Sequence, residues 1–320
     1  FGAIVLISIT VLAGTNCSYY NRVMARKDLV DGSNAYKDRK FADAERLFRD
    51  AVSRDPKGEY LEGQTAQLFL AHTLHSQYIG DRQNRPKAEG AIAEYQKALA
   101  LNPNDQSSYK AIASLYENLQ RSDDWLKWVT ERSNNTSIPP EQRAEALTSL
   151  AAKKNTCAND ITDTEQTKKT ITKDGKSAFQ FVKPANPADY ESLKACIQEG
   201  MALIDQALAL ETPQVKNAGA FDVKGSTDQQ LKEMQDLLKV FESARSYKAS
   251  LLVQQMRQVE MEGNEAERDR LKTASEEARQ NFLKLSETVK GIQAEIDERV
   301  AAKAAEAPGG ANAPSGKNAA

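Results

Sequence analysis

Two histidines, His72 and His75, and three cysteines, Cys17, Cys157 and Cys196, are all that 320 residues offer of the side chains that most often bind transition metals. No Cys-x-x-Cys pair occurs and no histidine stands near a cysteine, which excludes a zinc site of the usual kind. The histidines are three apart, without the glutamate of the HExxH arrangement, so they supply two ligands at most. Phosphate-binding glycine loops, dinucleotide fingerprints and Gly-x-Ser-x-Gly elbows are missing too, so no catalytic residue and no cofactor is assigned. Neither sign of charge prevails. Lysine and arginine number 43 against 45 acids, which leaves no summed field to recruit nucleic acid or an anionic membrane surface. Prolines, glycines and aromatics are sparse. What abounds instead is Ala, Leu, Glu, Lys and Gln, side chains that lose little rotamer freedom in a helix, and the composition reads as all-α.

Long hydrophobic runs are also lacking. Residues 1–13 are almost wholly apolar but fall short of the roughly 20 residues that span a bilayer, and by length they match a signal-peptide core. No methionine and no basic leader precede Phe1. That leaves room for a longer run upstream and keeps an uncleaved membrane helix open.

Internal periodicity dominates what is present. The stretch "DLVDGSNAYKDRKFADAERLFRDAVSRDPKG" sets small residues at Gly32, Ala44 and Ala51, large ones at Phe41 and Phe48, and a helix-stopping Pro56. Two helices can approach closely where the small residues lie, while the phenylalanines fill the space between them. Ala91, Tyr95, Ala98 and Pro103 repeat Ala44, Phe48, Ala51 and Pro56 at a constant offset of 47 residues. A polar loop, "YIGDRQNRP", absorbs the extra length. A third unit carries Tyr109, Ile112, Ala113 and Tyr116 on one helical face and Trp125, Trp128 and Val129 on the next. These spacings resemble the tetratricopeptide repeat (TPR), a helical hairpin of about 34 residues. The resemblance covers residues 27–212 and implies a TPR-type helical-hairpin solenoid.

A fourth unit is split. Its first helix is "PEQRAEALTSLAAKKN", and its second, from Pro187, carries Gly200, Ile204 and Ala207 in small, large and small positions. Between them an insertion at about 157–187 holds Asp174 and Gly175 between two β-prone runs, the mark of a two-residue hairpin. Beyond a loop, residues 213–303 are expected to form a long helical hairpin, one helix over Asp228–Met261 and a return over 266–303, broken at Gly263. The tail, 304–320, has no core-forming residues and is expected to be disordered.

At Cys17 the apolar run gives way to "SYYNR". This resembles bacterial lipoprotein leaders, in which the cysteine after the apolar core is lipidated and becomes the mature amino terminus. Residues 1–16 would then be a signal peptide or membrane leader, and the chain an envelope-anchored lipoprotein facing the periplasm. Such leaders usually end Leu-Ala-Gly-Cys, whereas this one reads "LAGTNC" with Asn16 in the last position. Cleavage after Ala13 is the alternative and leaves a soluble periplasmic protein with Cys17 free. Export implies that Cys157 and Cys196 pair in an oxidising compartment. The alternative is three ordinary buried thiols. Closing that 39-residue loop would stabilise by up to about 4 kcal/mol in the chain-entropy model.

In the TPR register, the groove-facing positions of the first helices fall on Ser33, Tyr36 and Lys37, then His72, His75 and Ser76, then Lys110, Ser114, Glu117 and Asn118. TPR domains that clamp a terminal carboxylate place asparagines at the positions of Ser33 and His72, so the resemblance points away from chaperone tails. It leaves an extended peptide or a partner helix. Paired histidines there titrate near neutral pH unless perturbed, and binding is expected to follow pH. The resemblance as a whole implies a non-enzymatic scaffold held at the bacterial envelope, with a protein or peptide partner, and neither a nucleic acid nor a small-molecule substrate. Two readings compete with it: a soluble TPR adaptor without an anchor, and a metal-dependent enzyme subunit using His72 and His75.

Overall fold

Short connections and apolar faces dictate how the first helices stack. In the computed structural model, which describes residues 2–173 and 175–306 with side chains over 18–172 and 175–305, the chain divides into two compact units, Phe1–Trp128 and Val129–Ala320. The first unit begins with α1 (Gly2–Lys37), which packs on α2 (Phe41–Arg54). α2 then packs on α3 (Leu61–Gly80), α3 on α4 (Arg85–Leu101), and α4 on α5 (Gln106–Asn118), while α1 also meets α3. This is the contact order of a helical-hairpin repeat, in which each pair meets only its neighbours.

The repeat positions do what their sizes require. Ala44, Phe48, Ala51, Ala91 and Tyr95 are fully buried. A Cβ added at Gly32 would lie 2.7 Å from the ring of Phe48, so α1 closes on α2 only because glycine is there. α2 ends at Arg54, just ahead of Pro56. The Asp55 carboxylate then accepts the backbone N–H groups of Glu59 and Tyr60 at 2.9 and 2.8 Å, which closes the turn leading into α3. α1 and α5 terminate alike, on a left-handed residue, Arg39 or Gln120, at φ 60° and 58°. The following N–H reaches back to Ala35 or Tyr116, at 2.9 and 2.8 Å.

α6 (Ser122–Asn134) carries the boundary between the units. On its first-unit side Trp128 stacks on Tyr109 with ring centres 5.6 Å apart.

The second unit is built around α7 (Pro140–Thr162), α8 (Pro187–Ala209), α10 (Asp228–Met261) and α11 (Glu265–Glu306), with the single turn α9 (Pro213–Lys216) before α10. α7 packs on α8, α10 on both, and α11 on α10. Their shared core includes Ile204, Leu231, Leu238, Phe241, Leu251 and Leu285. A Cβ at Gly200 would meet Leu251 at 2.8 Å, so the small position of the fourth repeat again admits a neighbouring helix. Thr227 and Gln230 form a reciprocal capping box that starts α10 at Asp228, and Gly263, at φ 74°, turns the chain into α11.

Strands β1 (Lys168–Lys173) and β2 (Lys176–Phe181) pair antiparallel, Lys173 opposite Lys176. That register fits the expected two-residue turn; Asp174 lies outside the described residues. The fold class expected from the sequence is the one observed: helical hairpins of TPR type, one small β-hairpin and a long C-terminal helical hairpin.

Two boundaries differ: α11 runs on to Glu306, past the expected helix end at 303 and into the expected tail. The apolar pattern ends the first helix of the fourth repeat near Asn155, yet α7 continues to Thr162, so Cys157 lies inside the helix. The extension is held by burial of Ala158 and by the Thr162 hydroxyl, which donates to Gln254 of α10 at 2.9 Å. The side chains of the expected leader, that of Cys17 among them, and residues 307–320 of the expected tail lie outside the described residues. Among the described residues no helix is long and apolar enough to cross a membrane.

Candidate partner-binding surface

Helical spacing places Tyr36, His72, His75 and Ser76 at the facing edges of α1 and α3, and contacts between these helices draw them together. The Tyr36 hydroxyl lies 2.9 Å from Oγ of Ser76. Its ring meets Phe41 and Phe69 edge-on, with centroids 5.4 and 6.3 Å away. Phe69 in turn stacks on Phe48 at 5.5 Å and meets His72 at 6.2 Å. A continuous aromatic chain thus joins the first repeat to the second.

The second repeat centres on Tyr95, whose hydroxyl lies 3.0 Å from Nδ1 of His72 and 3.3 Å from Nδ1 of His75. One hydroxyl has one proton. When both imidazoles are neutral, Tyr95 donates to one Nδ1 and accepts from the Nδ1–H of the other, so the two rings adopt opposite tautomers. Burial pushes both histidines below their ordinary value. The carboxylate of Asp105 partly offsets this for His72, whereas His72 and Arg82 add to it for His75. Burial likewise raises the Tyr95 phenol and keeps it protonated. For Asp105 burial acts upward, but bonds from the hydroxyls and backbone N–H groups of Ser107 and Ser108 outweigh it and hold the carboxyl low. The same bonds cap α5.

The remaining sequence-derived positions do less. The Ser33 hydroxyl donates to its own helix, at the carbonyl of Leu29, 2.7 Å away. Lys37 is exposed at the end of α1. On α5, Asn118 donates to the carbonyl of Ser114 at 2.8 Å. Lys110 and Glu117 are exposed and each interacts with another group. The structure therefore gathers Tyr36 with Ser76, and His72 with His75, into one semi-buried polar and aromatic surface. Among the described residues no three His, Cys, Asp or Glu side chains come together to hold a metal ion.

No family model matches the chain. No curated protein matches it either. One solved structure, described as "Functional Characterization of Pseudomonas Aeruginosa pilF", aligns with 77% of this chain and 99% of its own at 17% identity, with a TM-score of 0.29. At that score the two paths diverge too far for the likeness to carry a conclusion about family or partner.

Sequence reasoning missed the organiser of this surface. Tyr95 occupies the position of Phe48, one repeat on, and reads as core filling. The signal was the extra hydroxyl: a fully buried tyrosine needs a partner for it, and the two histidines one helix away are that partner. Gln77 was missed as well. It donates to the carbonyl of Phe41 at 3.0 Å and to Glu45 at 2.9 Å, and Glu45 also accepts from Lys87 at 2.6 Å, which ties together α2, α3 and α4.

The cysteine pair expected under export is present as a bond. Cys157 and Cys196 form a disulfide between α7 and α8, their Cα atoms 6.2 Å apart. It lies in a small core with Phe181 of β2, Leu193, Ile197 and Met261, and so fastens the foot of the β-hairpin to the helices.

Proposed function

We propose that the chain is a non-enzymatic protein-interaction scaffold, tethered to the bacterial envelope through a lipidated Cys17, whose first-helix faces take an extended peptide or a partner helix. The observation that carries the reading is the surface formed by Tyr36, Ser76, His72 and His75. Its aromatic and hydrogen-bonding groups lie on successive first helices, where repeat stacking creates a binding face. The disulfide supports an oxidising compartment, because such bonds are rare where glutathione keeps thiols reduced. The anchor rests on the position of Cys17 after an apolar run.

A photo-crosslinking amino acid placed at Lys37, in the full chain expressed in a bacterial host, tests both parts. The expected result is a protein crosslink, recovered from membranes, that disappears in Tyr36→Ala. Membrane recovery and an acylated amino terminus should be lost together in Cys17→Ser. A crosslink indifferent to Tyr36 would remove the surface from the reading, and an unmodified mature terminus would remove the anchor.

A further inference from the structure

The second unit leaves an open trough lined by residues of α8, α9, α10 and α11. α8 and α11 both pack on α10, so they form two banks with α10 as the floor between them. The chain itself fills one end. After leaving α8 it crosses through α9 and the 3-10 turn Ala218–Ala220, burying Val215 and Ala218 in the core that holds Leu285, Val289 and Ile292. The rest of the trough is open, a cleft of about 910 Å³. Its apolar lining is Leu208, Ala274 and Ala278, with the buried Leu252 and Leu285 beneath them. Ala274 and Ala278 stand one helical turn apart on the same face of α11, and their small side chains let a backbone approach.

The polar lining has a sign. Arg245 donates through Nε and Nη2 to both oxygens of Glu211, at 2.8 and 3.1 Å, and through Nη1 to the carbonyl of Asn281 at 3.2 Å. Lys248 is held by Asp205 at 2.6 Å. Those two cations are neutralised. Lys216, at the end of α9, and Lys284, on α11, are exposed and form no ion pair among the described residues. Of the acids lining the cleft, Glu277 alone stands against them.

We propose that this trough docks an amphipathic helix of a partner protein, which seats aliphatic side chains against Leu252, Ala274 and Ala278 and directs carboxylates to Lys216 and Lys284. The crossing segment is the precedent: α9 with Val215 and the 3-10 turn with Ala218 already occupy one end of the trough, and the partner continues that interface along α11. The acidic flank follows from the two unpaired lysines. The site is separate from the Tyr36 surface and stands whether or not that surface binds anything.

The test uses the full chain and two labelled synthetic helices of about 18 residues, roughly 27 Å long. Both carry the same leucine and valine ridge, one flanked by glutamate and the other by lysine. Fluorescence anisotropy should show the glutamate helix bound, with affinity falling at least about tenfold in Ala278→Arg, which fills the trough. Lys216→Glu combined with Lys284→Glu should transfer the preference to the lysine helix. Ala274→Leu, which fills the same space with an apolar group, should weaken both helices, and an unchanged melting temperature for these variants excludes loss of fold. Equal binding of the two helices, no binding of either, or binding indifferent to Ala278→Arg would overturn the proposal. So would a concentration-dependent dimer abolished by Ala278→Arg, because the occupant would then be a second copy of this chain.

Discussion

At Gly32 a single hydrogen decides whether two helices meet. Replacing glycine by alanine inside a helix ordinarily stabilises by about 1 kcal/mol. Here the new methyl would lie 2.7 and 2.9 Å from Cε1 and Cδ1 of Phe48, a ring that is itself fully buried and has nowhere to retreat. Overpacking of that kind costs about 1 to 3 kcal/mol, so the clash outweighs the helix propensity. Gly32→Ala is expected to lower the urea midpoint, and an unchanged or raised midpoint would mean that α1 can slide on α2. Gly200 is the counterpart of Gly32, where an added Cβ would meet a methyl of the fully buried Leu251 at 2.8 Å and Cβ of Lys154 at 3.1 Å. This residue-scale logic was legible in the sequence, since a glycine at a repeat's small position has few other uses. The Tyr95 hydroxyl was less so: one oxygen added to a core aromatic sets the tautomers of two histidines, and repeat spacing carries no trace of it. Arg39 and Gln120 were silent too, because neither residue type advertises a left-handed turn.

At the scale of elements, what could be read in advance was whatever depends on local pattern. α10 begins and ends where its capping box and Gly263 place it, and the β-hairpin register follows its two-residue turn. The overrun of α7 to Thr162 depends instead on α10, distant in sequence, whose Gln254 accepts from Thr162. No local pattern reports such a partner. The disulfide acts on α7 from the other side of the insertion. It joins α7 to α8 across 39 residues, and in the chain-entropy model a loop of that size contributes about 4 kcal/mol by restricting the unfolded chain. Reduction should therefore lower the stability of the second unit by up to that amount, with Cys157→Ser plus Cys196→Ser matching the reduced protein. The hairpin should loosen without detaching, since Phe181 is buried in the adjoining core and its N–H donates to Glu260 at 3.2 Å. Urea unfolding with and without reductant, read alongside proteolysis between α7 and α8, would show this; coincident curves would mean the bridge constrains nothing that folding has not already fixed.

Over the whole molecule, the titrating groups fall into two sets that acid should reveal in order. Several carboxyls are held below their ordinary values. Burial raises Glu45, but bonds from Lys87, Gln77 and Arg49 outweigh it, while Asp228 is lowered by Lys303 and Arg299, and Glu295 by Lys224 and Arg299. Their stabilisation is present above the unfolded carboxyl value, 4.5 for glutamate, and is lost as pH falls through the lower folded values. His72 and His75 behave differently. Both are depressed from 6.5 by burial, so above 6.5 they are neutral folded or unfolded and contribute no slope. Below it the unfolded chain takes up protons that the folded chain resists, and stability declines as pH falls through the folded values. Among the groups whose shifts are resolved, these two are therefore the ones that act between about 6.5 and 4.5. The urea midpoint should be flat from pH 7.5 to 6.5, fall gently to about 4.5, then fall steeply, and His72→Gln with His75→Gln should flatten the middle stretch alone. One proton can enter without breaking the Tyr95 bonds, because an imidazolium still donates to the phenol oxygen while the hydroxyl donates to the other ring. A second proton would leave the hydroxyl without an acceptor, so Tyr95→Phe should change the middle slope as well. An identical slope in the histidine double variant would move the effect to groups outside this surface. A pH dependence of partner binding through Tyr36 and Ser76 would then need another source than the histidines beside them.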